Sequence, residues 1–325
     1  MRVVVTGAGG FIGRYLTRAL LERGRLAGPD GAPAGLSELV LVDRAPIKPP
    51  PGSSVKITPL AGDLRDDGFL AEVMGEGVDS LFHLAATLTI EAERDLETGW
   101  AINLQLPLRL LEACRRFATT PRFVYASSIA VFGGKLPERV SDTQVQTPQT
   151  SYGTAKSVTE LLINDYTRQG HVDGRALRLP IVVIRPGEPT GAVSDIIASL
   201  AREPIKGRDV VSPLDATARF PVVSAARVAE NLLRIHDAPA SAFAGSRAVN
   251  QPGLTVSVAD IVAALGRVAG ADVAARVRIE PDANIQRVVA GWPTEFVTEA
   301  RLQPPLEPDP DYDSILRAYR EDHGS

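Results

Sequence analysis

MRVVVTGAGGFIG, residues 1–13, is the stretch that decides the fold. The run Val3-Val4-Val5 predicts a short buried strand, and glycines follow it at positions 7, 10 and 13. A helical pattern starts directly after them, with apolar residues at positions 16, 19 and 20. Glycine lets a backbone turn tightly and approach a pyrophosphate closely, and a helix N-terminus points amide N–H groups and a positive dipole end at it. The order strand, glycine turn and helix therefore predicts a dinucleotide site, with a turn that binds no ligand as the alternative. The cofactor contacts expected in this turn are Gly7, Gly10, Phe11, Ile12 and Gly13.

The composition limits the kind of protein this can be. The chain has 325 residues, 44% of them hydrophobic, which suits one large α/β domain or a nucleotide-binding domain with a smaller partner. A net charge of −4 gives no reason to expect nucleic acid or an anionic membrane as a partner. Cys114 is the only cysteine, so an internal disulfide and a cysteine zinc site are excluded, and its apolar neighbours indicate a core position. The four histidines are not spaced as a metal pair, and we expect no metal. Because no signal peptide and no membrane-spanning apolar stretch is seen, we expect a cytoplasmic protein.

An acid at the end of the second expected sheet strand points to the choice of cofactor. Residues 39–43 form an apolar run that ends in Asp43. In dinucleotide-binding folds, an acid about 20 residues beyond the glycines receives the adenosine ribose hydroxyls. Here Asp43 lies 30 residues beyond Gly13. A Gly/Pro-rich surface loop expected at residues 26–35 accounts for the ten additional residues. A carboxylate repels a ribose phosphate, so Asp43 favours NAD, and we interpret the neighbouring Arg44 as a solvated surface charge.

Further strands and helices alternate along the first half of the chain. Strands are expected at 55–60, 80–84, 122–128 and 181–186. Helices are expected from near Asp66, over 97–117 with Pro107 as a kink or a helix start, and over 151–166. Alternation of this kind predicts a doubly wound parallel sheet, the Rossmann fold.

Beyond residue 186 the expected elements are shorter and more mixed. Helices are expected near 193–202, 225–236, 258–268 and 313–321, and strands near 208–212 and 276–280. We therefore divide the chain into an NAD-binding Rossmann domain with the catalytic residues, 1–180, and a smaller mixed α/β substrate or lid domain, 181–325. The second part is expected to be interleaved with the last strands of the sheet.

The strand ends of the first domain supply the remaining cofactor contacts. Asp63 follows the third strand, where it contacts adenine or caps the next helix. Small residues after the fourth strand let a cofactor lie across the end of that strand. His83, within the strand, is interpreted as a residue packed in the protein interior and not as a catalyst. The contacts expected are Asp63, Leu64, Leu84, Ala85, Ala86 and Asn103, with Thr87 expected to touch the substrate.

Ser128, Tyr152 and Lys156 suit the oxidation of an alcohol. Tyr152 and Lys156 are four residues apart and share one helix face. A free tyrosine has a pKa near 10, which is about three units, or roughly 4 kcal/mol, too high for a base at neutral pH. A lysine ammonium about 4 Å away supplies around 4 kcal/mol at an effective dielectric constant of 20, and an oxidised nicotinamide adds to it. We therefore expect Tyr152 to be the base, with Ser128 holding the substrate oxygen. A serine hydrolase is disfavoured because Ser128 lies outside a Gly-x-Ser-x-Gly turn.

These residues carry a family resemblance that spans nearly the whole chain. Residues 6–13, TGAGGFIG, Asp63 after Gly62, HLAA at 83–86, SSIAVFGG at 127–134 and Tyr152-x-x-x-Lys156 resemble the extended short-chain dehydrogenase/reductases, the NAD-dependent epimerases and dehydratases among them. The resemblance implies that Tyr152 accepts the proton. It also implies that Tyr152 and Lys156 contact the cofactor, with Lys156 assisting the base and holding the cofactor ribose, and that Ser128 polarises the substrate. In many relatives the helices that correspond to 97–117 and 152–166 pair across a dimer, so the resemblance implies a homodimer or a higher homo-oligomer.

Longer strings narrow the resemblance. The GPDG-containing loop, TSYGTAK at 150–156, residues 164–180, RPGEP at 185–189 and GWP at 291–293 are similar to the D-erythronate dehydrogenases. That family oxidises the C2 hydroxyl of a four-carbon sugar acid with NAD, in sugar-acid catabolism. Sugar-nucleotide epimerases and dehydratases usually carry Asn-Val-Tyr-Gly-Pro where this chain has Arg185 to Pro189. The cations expected to bind a substrate carboxylate are Arg185 and Arg219, and Arg219 resembles the arginine that grips diphosphate in the epimerases.

Two other functions stay open from the sequence. One is a sugar-nucleotide epimerase or dehydratase, which shares the general motifs. The other is a non-catalytic NAD(P)-sensing protein. A sensor needs the glycine turn but not Tyr152 and Lys156, so the presence of that pair argues against it.

Overall fold

The computed structural model describes residues 1–75, 77–189, 193–243, 245–289 and 291–323. Its main feature is a seven-stranded parallel sheet in the order β5-β4-β1-β6-β7-β9-β13. The strands are β1 Arg2–Thr6, β2 Arg25–Ala27, β3 Pro33–Gly35, β4 Glu38–Asp43, β5 Lys56–Ala61, β6 Ser80–His83, β7 Arg122–Ser128, β8 Arg139–Val140, β9 Asp173–Leu179, β10 Ile181–Val183, β11 Val210–Ser212, β12 Arg219–Ser224, β13 Ala248–Asn250, β14 Leu254–Ser257, β15 Val277–Ile279 and β16 Glu295–Phe296. The predicted doubly wound parallel sheet is therefore confirmed.

Helices cover both faces of this sheet. They are α1 Phe11–Arg23, α2 Asp67–Met74, α3 Thr89–Arg94, α4 Leu96–Trp100, α5 Leu106–Cys114, α6 Ser151–Arg168, α7 Val193–Ile205, α8 Ala225–Asp237, α9 Val258–Ala269, α10 Ala271–Ala274, α11 Ala283–Val289 and α12 Tyr312–His323. A π-helix spans Ala101–Gln105, and short 3₁₀ turns span Ile129–Val131 and Ala240–Ala242.

The alternation of side chains along β1 explains the two layers. Val3 and Val5 pack with α1 and α8 on one face, while Val4 packs on the other face with α2, α5 and α6. A parallel strand buried on both faces needs such a continuous apolar run. Cys114, at the end of α5, is buried in the second layer, as its apolar neighbours indicated.

The expected sixth strand was placed wrongly. The sheet continues with β9, Asp173–Leu179, whereas Ile181–Val183 leaves it and pairs with β12 in a three-stranded sheet with β14. Arg175 and Arg178 interrupt the apolar pattern of β9, which hid the strand. Both arginines are buried, because Arg175 pairs with Asp173 at 2.6 Å and Arg178 pairs with Glu160 at 2.8 Å.

The region expected as a surface loop at 26–35 contains a small hairpin. Strands β2 and β3 pair antiparallel, with Leu26 opposite Ala34. Leu26 is buried in the main core, which fixes the hairpin against the sheet. The ten-residue excess before Asp43 is therefore an ordered insertion.

The helix expected over 97–117 is three consecutive segments, α4, the π-helix and α5, and it ends at Cys114. Pro107 lies in the first turn of α5, as a helix start and not as a kink. Proline has no N–H to donate to the carbonyl four residues earlier, that of Asn103. The Thr159 hydroxyl, from α6, lies 3.4 Å from this carbonyl oxygen and shares its proton between it and the nearer Ala155 carbonyl, 2.9 Å away.

The second half of the chain contributes to two cores. Helices α7, α9 and α12 surround the three-stranded sheet in a separate apolar cluster. However, β13 extends the central sheet and α8 packs beside α1. Elements of the second half thus lie in both cores, while the division at residue 180 and the expected interleaving stay predictions. In the described ranges, no helix is both long and apolar enough to cross a membrane.

Candidate active site

The carboxyl ends of the parallel strands meet at one edge of the sheet, and the chain changes direction between β1 and β6. Ligands of doubly wound folds bind at such a switch point. The glycine turn after β1 lies here. Gly7 has a φ of +71°, which favours glycine, and a Cβ at Gly7 would lie 2.8 Å from the amide nitrogen of Ala85. A Cβ at Gly13 would lie 2.2 Å from the Gly7 carbonyl oxygen. Only glycines allow this close turn, which presents the N-terminus of α1 and fits a pyrophosphate.

Asp43 lies beside the turn, at the end of β4. Its Oδ2 accepts a hydrogen bond from the Gly9 amide over 3.0 Å, and its Oδ1 accepts one from the Arg44 amide over 2.7 Å. The carboxylate is partly exposed and adjacent to the glycines, which suits a ribose diol. The Arg44 side chain is exposed, in agreement with a solvated charge.

Asp63 and Asp66 have separate tasks. Asp66 caps α2, because its side chain accepts a hydrogen bond from the Phe69 amide over 2.8 Å. Asp63 pairs with Arg65 at 2.6 Å, and this contact lowers the pKa of Asp63 to about 2. Leu64 is buried between them. A contact of Asp63 with adenine stays a prediction.

The segment after β6 is held by a buried amide. Asn103 lies on the π-helix, where its Oδ1 accepts from the Thr87 amide over 3.0 Å and its Nδ2 donates to the Thr87 carbonyl over 3.1 Å. Both polar groups of the Asn103 side chain are thus bonded to the backbone of Thr87. Leu84, Ala85 and Ala86, just before it, are partly exposed at the sheet edge. The structure gives Asn103 a supporting contact, and its direct contact with a cofactor stays a prediction.

The two serines at the end of β7 differ in their surroundings. Ser127 is buried, and its hydroxyl donates to Glu160 over 2.5 Å. Ser128 is partly exposed, and its Oγ accepts from the Ala130 amide over 3.1 Å. Ser128 is therefore the serine that faces the open edge, and its role in binding substrate stays a prediction.

Lys156 is buried on α6 next to the predicted base. Its Nζ donates to the Ala126 carbonyl over 2.8 Å and lies 5.5 Å from the centre of the Tyr152 ring. It lies 4.4 Å from the centre of the Tyr125 ring, which stabilises a cation. Burial lowers the pKa of Lys156 to about 7, and the negative charge of Glu160 opposes this.

Tyr152 is the second residue of α6, whose first turn is capped by the Thr150 side chain. Burial raises the pKa of Tyr152, while a hydrogen bond with Ser128 and the positive charge of Arg185 oppose the rise. The structure thus brings the predicted set of Ser128, Tyr152 and Lys156 together, and adds Arg185 to it.

The two candidate arginines are not equivalent. Arg219 is half exposed and pairs with Glu138 at 3.5 Å. The Arg185 guanidinium has no hydrogen bond or ion pair with any described residue, and its charge acts on Tyr152. Arg185 is therefore the cation that is available beside the tyrosine.

His83 is a packed residue, as expected. It is buried, its Nδ1 and the Thr6 hydroxyl share a hydrogen bond of 2.7 Å, and it stacks on Tyr125. Burial lowers the pKa of His83 to about 3, so the ring is neutral at physiological pH. Within the described ranges, no group of three or more His, Cys, Asp or Glu side chains could hold a metal ion.

Sequence reasoning missed two residues that shape this site, Gly153 and Glu160. A Cβ at Gly153 would lie 2.1 Å from the Ala130 carbonyl oxygen, so the start of α6 touches the turn that follows Ser128. Glu160 lies four residues beyond Lys156 on the same helix face, and this spacing was the available signal.

We predict that Gly153→Ala lowers kcat by about 10- to 100-fold, because the new methyl group moves Tyr152 away from Ser128. Overpacking of this kind also lowers stability by about 1–3 kcal/mol, measurable as a fall in Tm. Gly266→Ala on α9 is the matched control, since a Cβ there would meet nothing nearer than 3.8 Å. Equal behaviour of the two variants would contradict the prediction.

Comparison with known proteins agrees with this geometry. The model of the NAD dependent epimerase/dehydratase family matches residues 3–250. The D-erythronate dehydrogenase of Cupriavidus necator is 38% identical over 325 residues, covering 100% of this chain and 99% of the relative. The D-erythronate dehydrogenase of Haemophilus influenzae is 34% identical over 322 residues, covering 99% of each.

A solved structure described as the nucleoside-diphosphate-sugar epimerase from Agrobacterium tumefaciens matches over 100% of this chain and 95% of its own, with a TM-score of 0.89 and 34% identity. An L-threonine dehydrogenase from Cupriavidus necator has a TM-score of 0.80 at 24% identity, which is a likeness of fold.

Proposed function

Because the chain belongs to the NAD dependent epimerase/dehydratase family, we propose that it oxidises the C2 hydroxyl of D-erythronate to 2-dehydro-D-erythronate with NAD. The observation that carries this proposal is Arg185, which lies beside Tyr152 and has no hydrogen-bond or ion-pair partner for its side chain among the described residues. In a 2-hydroxy acid the carboxylate is one bond from the reacting carbon. Its cationic partner must therefore lie next to the base, where Arg185 is. Similarity along the whole chain to two D-erythronate dehydrogenases supports the four-carbon substrate.

Each residue then has a defined task. Tyr152 accepts the proton of the C2 hydroxyl, and Lys156 stabilises the phenolate form that can do so. Ser128 donates a hydrogen bond to the same oxygen, and Arg185 binds the carboxylate by charge-assisted hydrogen bonds. A bound nicotinamide ring supplies the acceptor for the hydride that leaves C2.

The glycine turn after β1 and Asp43 would hold the dinucleotide. Gly7, Gly10 and Gly13 let the backbone and the start of α1 meet the pyrophosphate. Phe11 and Ile12 belong to that first turn. Asp43 would accept hydrogen bonds from the adenosine ribose, and Lys156 from α6 would reach the other ribose.

The deciding assay follows NADH absorbance with four-carbon sugar acids and, separately, product formation from UDP-sugars by chromatography, because an epimerase or dehydratase returns the hydride and accumulates no NADH. We expect turnover of D-erythronate, with weaker or no turnover of acids that lack a C2 hydroxyl. Turnover of UDP-sugars alone would favour the epimerase or dehydratase alternative, which the likeness to the Agrobacterium tumefaciens structure keeps in view. Binding of NAD without turnover of either class would favour the NAD(P)-sensing alternative.

We predict that Asp43→Ala weakens NAD binding by about 10- to 100-fold and reduces the preference for NAD over NADP. The carboxylate accepts hydrogen bonds from the ribose diol and repels a 2′-phosphate. Arg44→Gln is the control, and its dissociation constants for NAD and NADP should stay within about twofold of the wild type. Selective loss of NADP binding in Arg44→Gln would instead make Arg44 a phosphate ligand. Displacement of fluorescent NADH and NADPH by NAD and NADP measures these constants for the wild type and both variants.

A homodimer or higher homo-oligomer and a cytoplasmic location stay predictions. The homodimer is supported by Leu161 on α6, an apolar side chain that is 63% exposed in the single chain.

A further inference from the structure

Helix α6 is joined to the end of β7 by a row of buried contacts. The Ala126 carbonyl accepts from Lys156 Nζ over 2.8 Å, and the next residue, Ser127, donates to Glu160 over 2.5 Å. Tyr152, Lys156 and Glu160 follow each other at four-residue spacing, so they form one stripe on the helix. The stripe faces the strand that ends in the predicted substrate-holding serine.

Glu160 is a buried carboxylate with every oxygen bonded. Oε1 accepts from Ser127 and from Arg178 Nε over 3.1 Å. Oε2 accepts from Arg178 Nη2 over 2.8 Å and from Gln146 Nε2 over 2.5 Å. Glu160 is only 2% exposed. Side chains from α6, β7, β9 and the loop before α6 therefore meet at one carboxylate.

Lys156 needs such a charge because its other neighbours carry none. It is 3% exposed and surrounded by Tyr125 of β7, Tyr152 of its own helix, neutral His83 of β6 and the Ala126 carbonyl. Burying an ammonium ion without a compensating charge is costly, and such a lysine loses its proton easily. A neutral lysine could not stabilise a phenolate at Tyr152.

We propose that Glu160 is a positioning residue that holds Lys156 as a buried ammonium ion against the end of β7. This inference rests on the proposed role of Lys156 in the oxidation. Glu160 acts in two ways. Its charge favours the cation one helical turn away, and its bond to Ser127 fixes α6 on the strand. Arg178 pairs with the same carboxylate at 2.8 Å, so the charge of Glu160 is buried together with a partner.

The charge state of Lys156 can be measured without any substrate. The chain contains only five lysines, Lys48, Lys56, Lys135, Lys156 and Lys206, so NMR of protein labelled at the lysine ε-carbons gives few signals. Lys156→Met identifies the signal of interest. In the wild type we expect Lys156 to titrate near pH 7 in the cofactor-free protein.

Glu160→Gln removes the charge but keeps an oxygen that can accept from Ser127. We expect the Lys156 midpoint to fall by about one unit, because the remaining guanidinium of Arg178 is then uncompensated. Ser127→Ala is the matched control, since it breaks the contact with the strand but keeps the carboxylate, and its midpoint should stay within about 0.2 units of the wild type. The double variant Glu160→Gln, Arg178→Met removes the ion pair as a whole, which buried sites often tolerate. The Lys156 midpoint should fall in the double variant too, but by less than in Glu160→Gln. If Glu160→Gln does not fold, the double variant takes its place in the test.

The proposal would be overturned if the Lys156 midpoint were unchanged or raised in Glu160→Gln, or in the double variant where Glu160→Gln does not fold. An equal fall in Ser127→Ala would overturn it too, because the effect would then come from a distorted helix. At a fixed pH above 7, Glu160→Gln should also lower kcat by about tenfold, with little change in the KM for NAD. If the wild type does not oxidise any sugar acid, the proposed function fails, whereas the NMR titration still decides the role of Glu160.

Discussion

Tyr152→Phe is expected to lower kcat for oxidation of the sugar acid by about 10³-fold, while the dissociation constant for NADH stays within about twofold. The substitution removes only the hydroxyl that would accept the substrate proton and leaves the ring beside Lys156 in place. Binding of the cofactor depends on the glycine turn and Asp43, which the change does not touch. Steady-state kinetics and NADH fluorescence separate the two effects.

Tyr166→Phe is the matched control for this variant. Tyr166 lies on the same helix, but its hydroxyl donates to Glu112 at the far end from the sheet edge. Its kcat should stay near the wild-type value. If Tyr152→Phe kept more than about a tenth of the wild-type kcat, Tyr152 would not be the base.

Arg185→Gln is expected to raise the KM for the sugar acid by about 100-fold, with a smaller fall in kcat. A charge-assisted hydrogen bond to a carboxylate contributes roughly 1.5–3 kcal/mol, and each 1.4 kcal/mol is about tenfold in binding. The charge of Arg185 also opposes the rise in the pKa of Tyr152. Removing a positive charge raises the pKa of a phenol, so the ascending limb of the pH–rate profile should move to higher pH.

Arg219→Gln provides the comparison within the same chain. Because Arg219 already pairs with Glu138 and is half exposed, its loss should change the KM by no more than about twofold. The reverse pattern, with a large effect at Arg219 and none at Arg185, would move the carboxylate site to β12. It would also favour the sugar-nucleotide alternative, in which an arginine at this place grips diphosphate.

The predictions for Tyr152 and Arg185 both depend on the two cations beside Tyr152. These cations differ in their burial and in their partners. Lys156 is buried, and it is tied to a backbone carbonyl and to the charge of Glu160. Arg185 has no partner among the described residues. Lys156 therefore suits a permanent role beside the base. Arg185 suits the binding of a substrate that associates and dissociates in each turnover.

The sequence by itself determined the parts of the molecule that rest on local rules. A run of valines followed by glycines at three-residue spacing predicts β1, the turn and α1. The close approaches at Gly7 and Gly13 explain why no other residue fits there. The four-residue spacing places Tyr152 and Lys156 on one helix face in any fold, because the period of the α-helix requires it. The acid after the second sheet strand was likewise readable, although an inserted hairpin separates it from the glycines.

Only the tertiary structure decided which charges are buried with partners and which have no partner among the described residues. Arg175 and Arg178 concealed β9, since a charged residue in a sheet is stable only when an acid elsewhere in the chain pairs with it. The same principle distinguishes Arg185 from Arg219 and gives Glu160 its place behind Lys156. Such pairings join residues distant in sequence, and burial makes them strong by removing the water that would screen them. A single sequence gives neither the distances between the paired charges nor the burial of their side chains. These contacts are therefore seen only in the folded structure.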